Sequence, residues 1–96
     1  MPEIKNKILL VEDDLFLSSL LKNRLEKDKF EVIAAHDGDE ALKALRETKP
    51  DLILLDLILP GRSGFEVLEE LKADPQLRDK TKIPVVIISN LGQESD

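Results

Sequence analysis

Lys7-Ile8-Leu9-Leu10-Val11-Glu12-Asp13-Asp14 sets a continuous apolar run directly against three acids. Ile8 to Val11 shows no polar alternation, which is the pattern of a strand buried on both faces, as in a parallel sheet. Val85-Val86-Ile87-Ile88, inside the run Ile83–Ile88, reads the same way, and Phe30–Ala35 and Leu52–Leu59 are two further apolar runs. The segments between them have helical spacing. Leu17, Leu20, Leu21 and Leu25 form one stripe, with Lys22, Asn23 and Glu26 on the opposite face. Ala41, Leu42 and Leu45 mark a shorter second helix ended by Pro50, and Phe65, Leu68, Leu71 and Lys72 a third ended by Asp74-Pro75. Asp37 with Glu40, and Ser63 with Glu66, have the spacing of capping boxes. Ala73–Lys82, charged and carrying Pro75, is expected to be the least ordered stretch. The order βαβαβαβ predicts right-handed crossovers and an α/β, doubly wound parallel sheet with helices on both faces.

The composition narrows the function. Ninety-six residues suit one domain, and 14 Lys+Arg against 20 Asp+Glu give a net charge of −6. That balance argues against direct binding of nucleic acid or an anionic membrane, which needs clustered Lys and Arg. The chain has no cysteine, so a disulfide scaffold and a thiolate metal site are excluded, in keeping with a cytoplasmic setting. A polar, charged start through Lys7 predicts no signal peptide, and no apolar run approaches the ~20 residues of a membrane span.

The chemistry belongs to acids at strand ends. Strand one runs into Glu12-Asp13-Asp14, and Leu52-Ile53-Leu54-Leu55 stops at Asp56 before Leu57-Ile58-Leu59-Pro60-Gly61. An acid inside such a run is costly unless it meets a cleft, a cation or a hydrogen-bond partner. Ligands of open α/β sheets sit at the carboxyl ends of strands, where strand order reverses. If strands one and three are neighbours, Glu12, Asp13 and Asp56 converge, and three carboxylates need a cation to stay ionised together. Oxygen donors without His or Cys point to Mg²⁺. The bland alternative makes Asp13 or Asp14 simply the N-cap of the first helix, a role compatible with the other. Asp56 has no such account, since no helix starts in the next four residues.

Lys7–Asp14, Asp56 with Pro60 four and Gly64 eight residues later, and Ser89 after the fourth strand together resemble the receiver domain of bacterial two-component response regulators. The resemblance covers the whole chain. It implies a flavodoxin-like, CheY-like fold with strand order 2-1-3-4, here as an incomplete (βα)3β unit. It implies that Asp56 is the phosphoacceptor, taking a phosphoryl group from a sensor histidine kinase or phosphotransfer protein. Glu12, Asp13 and Asp56, joined by the backbone carbonyl of Ile58, would hold Mg²⁺. Ser89 would hydrogen-bond the phosphoryl group and report its presence.

The remaining candidates read more plainly. His36 is expected to be a solvent-facing turn residue, and Arg62 a solvated side chain near the site. Pro60-Gly61-Arg62-Ser63-Gly64 lacks the Gly-Lys-Ser/Thr ending of a P-loop and reads as a turn into the third helix. Phe16, Phe30 and Phe65 are assigned to core or interface.

The family pattern has five strands, five helices and an essential Lys at the end of strand five. Here the last Lys is Lys82, ahead of strand four. Residues 1–96 therefore read as a receiver domain without its fourth and fifth helices and fifth strand. Two expectations follow: weak or absent phosphorylation, and self-association as a homo-oligomer through the exposed strand Val85–Ile88. Two rivals stay open. One is a Mg²⁺-dependent aspartyl-phosphate phosphatase or phosphotransferase, which typically carries a second Asp where this chain has Ile58. The other is an inactive fragment serving assembly or folding.

Overall fold

A computed structural model describes residues 6–88 of the chain. Strands β1 (Lys7–Val11), β2 (Glu31–Ala35), β3 (Leu52–Asp56) and β4 (Val85–Ile88) alternate with helices α1 (Leu15–Lys27), α2 (Gly38–Glu47) and α3 (Gly64–Ala73). A 3-10 segment, Pro75–Lys80, lies before β4. All strands are parallel, in the order β2-β1-β3-β4, as expected. The connection from β2 passes over β1 to reach β3, so strand order reverses between β1 and β3. Val11 pairs with Leu55, and the acids that follow each strand leave the sheet side by side.

The two faces of the sheet are covered unequally. Leu9, Val11, Ile53 and Leu55 point to one side and pack with Ala41, Leu42 and Leu45 of α2 and Val67 and Leu71 of α3. Alternation sends Ile8 and Leu10 to the other side, where α1 lies against β1 and β2 and both are buried. Toward β3 and β4 that second face thins out. Leu52 and Leu54 are only half-buried, and Val86 is 46% exposed.

Local chemistry explains where the helices begin. The Asp14 carboxylate accepts from the Phe16 and Leu17 amides, and so is the N-cap of α1. Ser63 and Glu66 form the full capping box at α3. At α2 the motif is altered: Asp37 accepts from the Glu40 amide, but the Glu40 carboxylate reaches back to the amide of His36. α2 ends at Glu47, with Thr48 capping it, two residues before Pro50.

Several sequence expectations are corrected. In α1 the buried residue is Ser18, while Leu20 is 50% exposed and Leu17, Leu21 and Leu25 are half-buried, because only two strands lie beneath the helix. In α3 the buried face is Gly64, Val67 and Leu71, not one led by Phe65, which is 62% exposed. Phe16 is likewise exposed, and neither side chain is core. β4 is not buried on both faces, since Val86 and Ile87 are both exposed.

The segment 73–82 is ordered. Asp74 caps the 3-10 turn through the Gln76 amide, and Leu77 is fully buried among α2 and α3. Lys80 is buried as well and donates from Nζ to the carbonyl of Leu45, one of the carbonyls left free at the end of α2. Arg46 pairs with Asp74 at 2.9 Å, tying the end of α2 to the end of α3. That guanidinium and the Gln76 amide hold the Asp74 carboxyl below its ordinary value, the amide contributing more.

Candidate functional site

Glu12 continues β1 by one residue, its amide donating to the Ala35 carbonyl at 3.0 Å, and this fixes its side chain beside the end of β3. Asp56 is the last residue of β3, paired with Ile88 of β4. Glu12, Asp13 and Asp56 each offer a carboxylate oxygen within 4.8 Å of the others. Glu12 and Asp56 are each only 1% exposed, and Asp13 is half-buried. The convergence expected from adjacent strand ends is therefore present in the geometry.

Three of these oxygens have no hydrogen-bond partner: Glu12 Oε2, Asp13 Oδ1 and Asp56 Oδ2. A buried acceptor without a donor costs about 1–3 kcal/mol, and more when charged. Burial pushes the Glu12 carboxyl up from 4.5 to about 8, helped by the closeness of the Asp56 and Asp13 carboxyls. Burial and crowding thus favour the protonated form of Glu12 when no cation is bound. An all-oxygen donor set with orphaned, inward-facing acceptors fits a hard divalent cation such as Mg²⁺, which keeps several of its own waters.

The loop from Leu57 to Ser63 is built around Asp56. The Ile58 amide donates to Asp56 Oδ1 at 3.0 Å, and the Gly64 amide donates to the Leu57 carbonyl at 3.0 Å. Ile58 itself is 62% exposed, so it contributes backbone and not a packed side chain. Ser89 lies outside the described residues. His36 is half-buried at the β2–α2 turn, with Nδ1 3.6 Å from Glu40. Arg62 is not simply solvated: its Nε donates to Asp39 Oδ1 at 3.1 Å, joining the loop to the first turn of α2. No sequence spacing announces that contact, because the two residues are 23 apart on different elements.

Comparisons with known proteins point to one family. A family model described as "Response regulator receiver domain" matches residues 8–96. The chain is 44% identical over 91 residues to the transcriptional regulatory protein CpxR of Escherichia coli, covering 95% of this chain and 36% of that protein. It is 41% identical over 90 residues to the phosphate regulon transcriptional regulatory protein PhoB of the same organism, covering 94% and 38%. Among solved structures, the response regulator TrrA of Thermotoga maritima, in complex with Mg²⁺ and BeF, superposes with a TM-score of 0.74 at 34% identity. That match covers 88% of this chain and 69% of the other. The N-terminal domain of a response regulator receiver protein from Methanoculleus marisnigri gives 0.76 at 40% identity, covering 84% and 63%. The chain spans little more than a third of the length of these curated relatives.

Proposed function

The chain belongs to the family of response regulator receiver domains, and from that premise we propose that it is a phosphoacceptor module carrying its phosphoryl group on Asp56. The observation that carries this reading is the set of unpartnered, inward-facing oxygens of Glu12, Asp13 and Asp56. With the Ile58 carbonyl they would hold Mg²⁺. The ion, when bound, neutralises charge on the phosphoryl oxygens during transfer.

The chain's own residues do the rest. Asp56 Oδ2 is free to attack phosphorus, while Oδ1 is held by the Ile58 amide and keeps the carboxylate oriented. In the transfer an oxygen–phosphorus bond forms and the phosphorus–nitrogen bond of a donor phosphohistidine breaks. The imidazole leaves with the electron pair and takes up a proton. Donors of this chemistry are sensor histidine kinases and phosphotransfer proteins, and the protein acts as their acceptor in the cytoplasm and not as an enzyme in its own right. Ser89 is proposed to hydrogen-bond the phosphoryl group.

Among the described residues β4 is a sheet edge, with Val86 and Ile87 exposed. Unpaired strand edges recruit other strands. A homo-oligomer through Val85–Ile88 is therefore part of the proposal.

Titration of Mg²⁺ into isotope-labelled protein tests the site. Saturable amide shifts at Asp13, Asp56 and Ile58, lost in Asp13→Asn, are expected. Absence of saturable shifts at these residues in the parent chain contradicts the reading.

A further inference from the structure

We infer that Gly38 is a positioning residue for the acidic site, holding the β3–α3 loop in register from the neighbouring helix. The inference rests on the metal-binding reading of Glu12, Asp13, Asp56 and Ile58. Gly38 opens α2, on a different crossover from the loop. A Cβ placed on it would lie 2.8 Å from Arg62 Cβ, 2.9 Å from the Arg62 carbonyl oxygen and 3.0 Å from Val67 Cγ2. Two of those atoms belong to the loop's backbone or to the root of a side chain, so neither can swing aside.

Glycine is not required at this position for its torsion angles. Among the described residues the glycine with positive φ is Gly61, not Gly38. Within a helix a glycine costs roughly 0.5–1 kcal/mol relative to Ala. What glycine provides at position 38 is space. It lets α2 approach the loop closely enough for Asp39 to take Arg62 Nε at 3.1 Å.

That contact is the outer anchor of a loop whose inner anchor is the reacting residue. From Asp56, the chain is held at Ile58 by Asp56 Oδ1, at Leu57 by the Gly64 amide, and at Arg62 by Gly38 and Asp39. The Ile58 carbonyl, the one backbone ligand of the proposed cation site, sits between these anchors. Residues that orient a ligand from outside typically change metal affinity by about 10–100-fold when replaced. A methyl group at 38 has to push Arg62 outward, and the displacement runs back along four peptide links of main chain to Ile58.

The test compares Gly38→Ala with Lys43→Gly in the whole chain. Lys43 is an exposed α2 residue, so its replacement weakens the same helix without touching the loop. In metal-free protein, Gly38→Ala is expected to shift the Ile58 amide resonance and speed its hydrogen exchange. With Mg²⁺ the dissociation constant is expected to rise about tenfold. Lys43→Gly should lower thermal stability and leave both readouts unchanged.

An unaltered Ile58 amide and Mg²⁺ affinity in Gly38→Ala would overturn the inference, as would equal changes in Lys43→Gly. Should Gly38→Ala not fold, Arg62→Ala releases the outer anchor without adding a side chain at position 38. A shifted Ile58 amide and weakened Mg²⁺ binding in Arg62→Ala then support the positioning role, and an unchanged Ile58 amide and Mg²⁺ affinity overturn it. A parent chain that binds no Mg²⁺ fails the site reading alone, because the metal-free Ile58 amide still decides the positioning role.

Discussion

The Ile58 amide donates to Asp56 Oδ1 at 3.0 Å and leaves Oδ2 of the same carboxylate buried without a partner. On the proposed function, one oxygen orients the group and the other is left for chemistry. Burying that oxygen and its two carboxylate neighbours without partners has an energetic cost that is measurable.

Asp56→Asn removes one of three crowded acids while keeping an oxygen that can accept from Ile58. The metal-free protein is expected to be more stable, by about 1 kcal/mol, which for a domain of this size raises Tm by roughly 4–8 °C. Mg²⁺ should stabilise the parent chain and add little to the variant. Thermal unfolding of both, with Mg²⁺ and with a chelator, reads the four values. A variant less stable than the metal-free parent would contradict the crowding argument.

Stability should also depend on pH in an unusual direction. The folded-state Glu12 carboxyl titrates at about 8, against 4.5 ordinarily, so between those values the folded chain holds a proton that the unfolded chain has lost. Stability from this group is full below 4.5 and is lost as pH rises toward 8. Denaturant unfolding across that window should show metal-free stability falling with pH, and Glu12→Gln should flatten the slope.

Gly61 of the β3–α3 loop and Gly64 at the start of α3 should not be equivalent. A Cβ at Gly64 would lie 2.5 Å from the Asp56 carbonyl oxygen and 2.7 Å from Leu57 Cα, while one at Gly61 meets nothing within 4 Å. Gly61 has φ +72°, so Ala there carries only the left-handed penalty of roughly 1–2 kcal/mol. Gly64→Ala forces backbone apart and is expected to cost more than about 3 kcal/mol. Paired unfolding curves check the order.

Self-association through β4 predicts that Val86→Lys, which charges an exposed position on the edge strand, shifts the protein toward monomer. Light scattering over a concentration series measures it. A parent chain that stays monomeric at high concentration removes this part of the proposal.

How far the sequence speaks depends on whether one element or two decides a residue's environment. The four strands were legible because unbroken runs such as Ile8–Val11 declare themselves, and the acids at their ends could be placed once β1 and β3 were adjacent. The family resemblance supplied that adjacency. The burial of α3 was misjudged because periodicity favours the largest apolar residue, Phe65. The actual contact is set by Gly64, whose missing side chain lets the helix rest on the Asp56 carbonyl. Composition likewise hid the order in 73–82, where one buried Leu77 and the Lys80–Leu45 contact outweigh the surrounding charge. The apolar run Val85–Ile88 by itself reads as buried, since a strand's own residues do not say how much of its face a neighbouring helix covers; only the family pattern pointed to the exposure of Val86.

The most direct test is intact-mass analysis after incubation with a small phosphodonor such as phosphoramidate, with Mg²⁺ and with a chelator. The account predicts a single hydroxylamine-labile phosphoryl adduct that requires Mg²⁺ and is absent from Asp56→Asn. No adduct under any condition, or one that persists in Asp56→Asn, would contradict it.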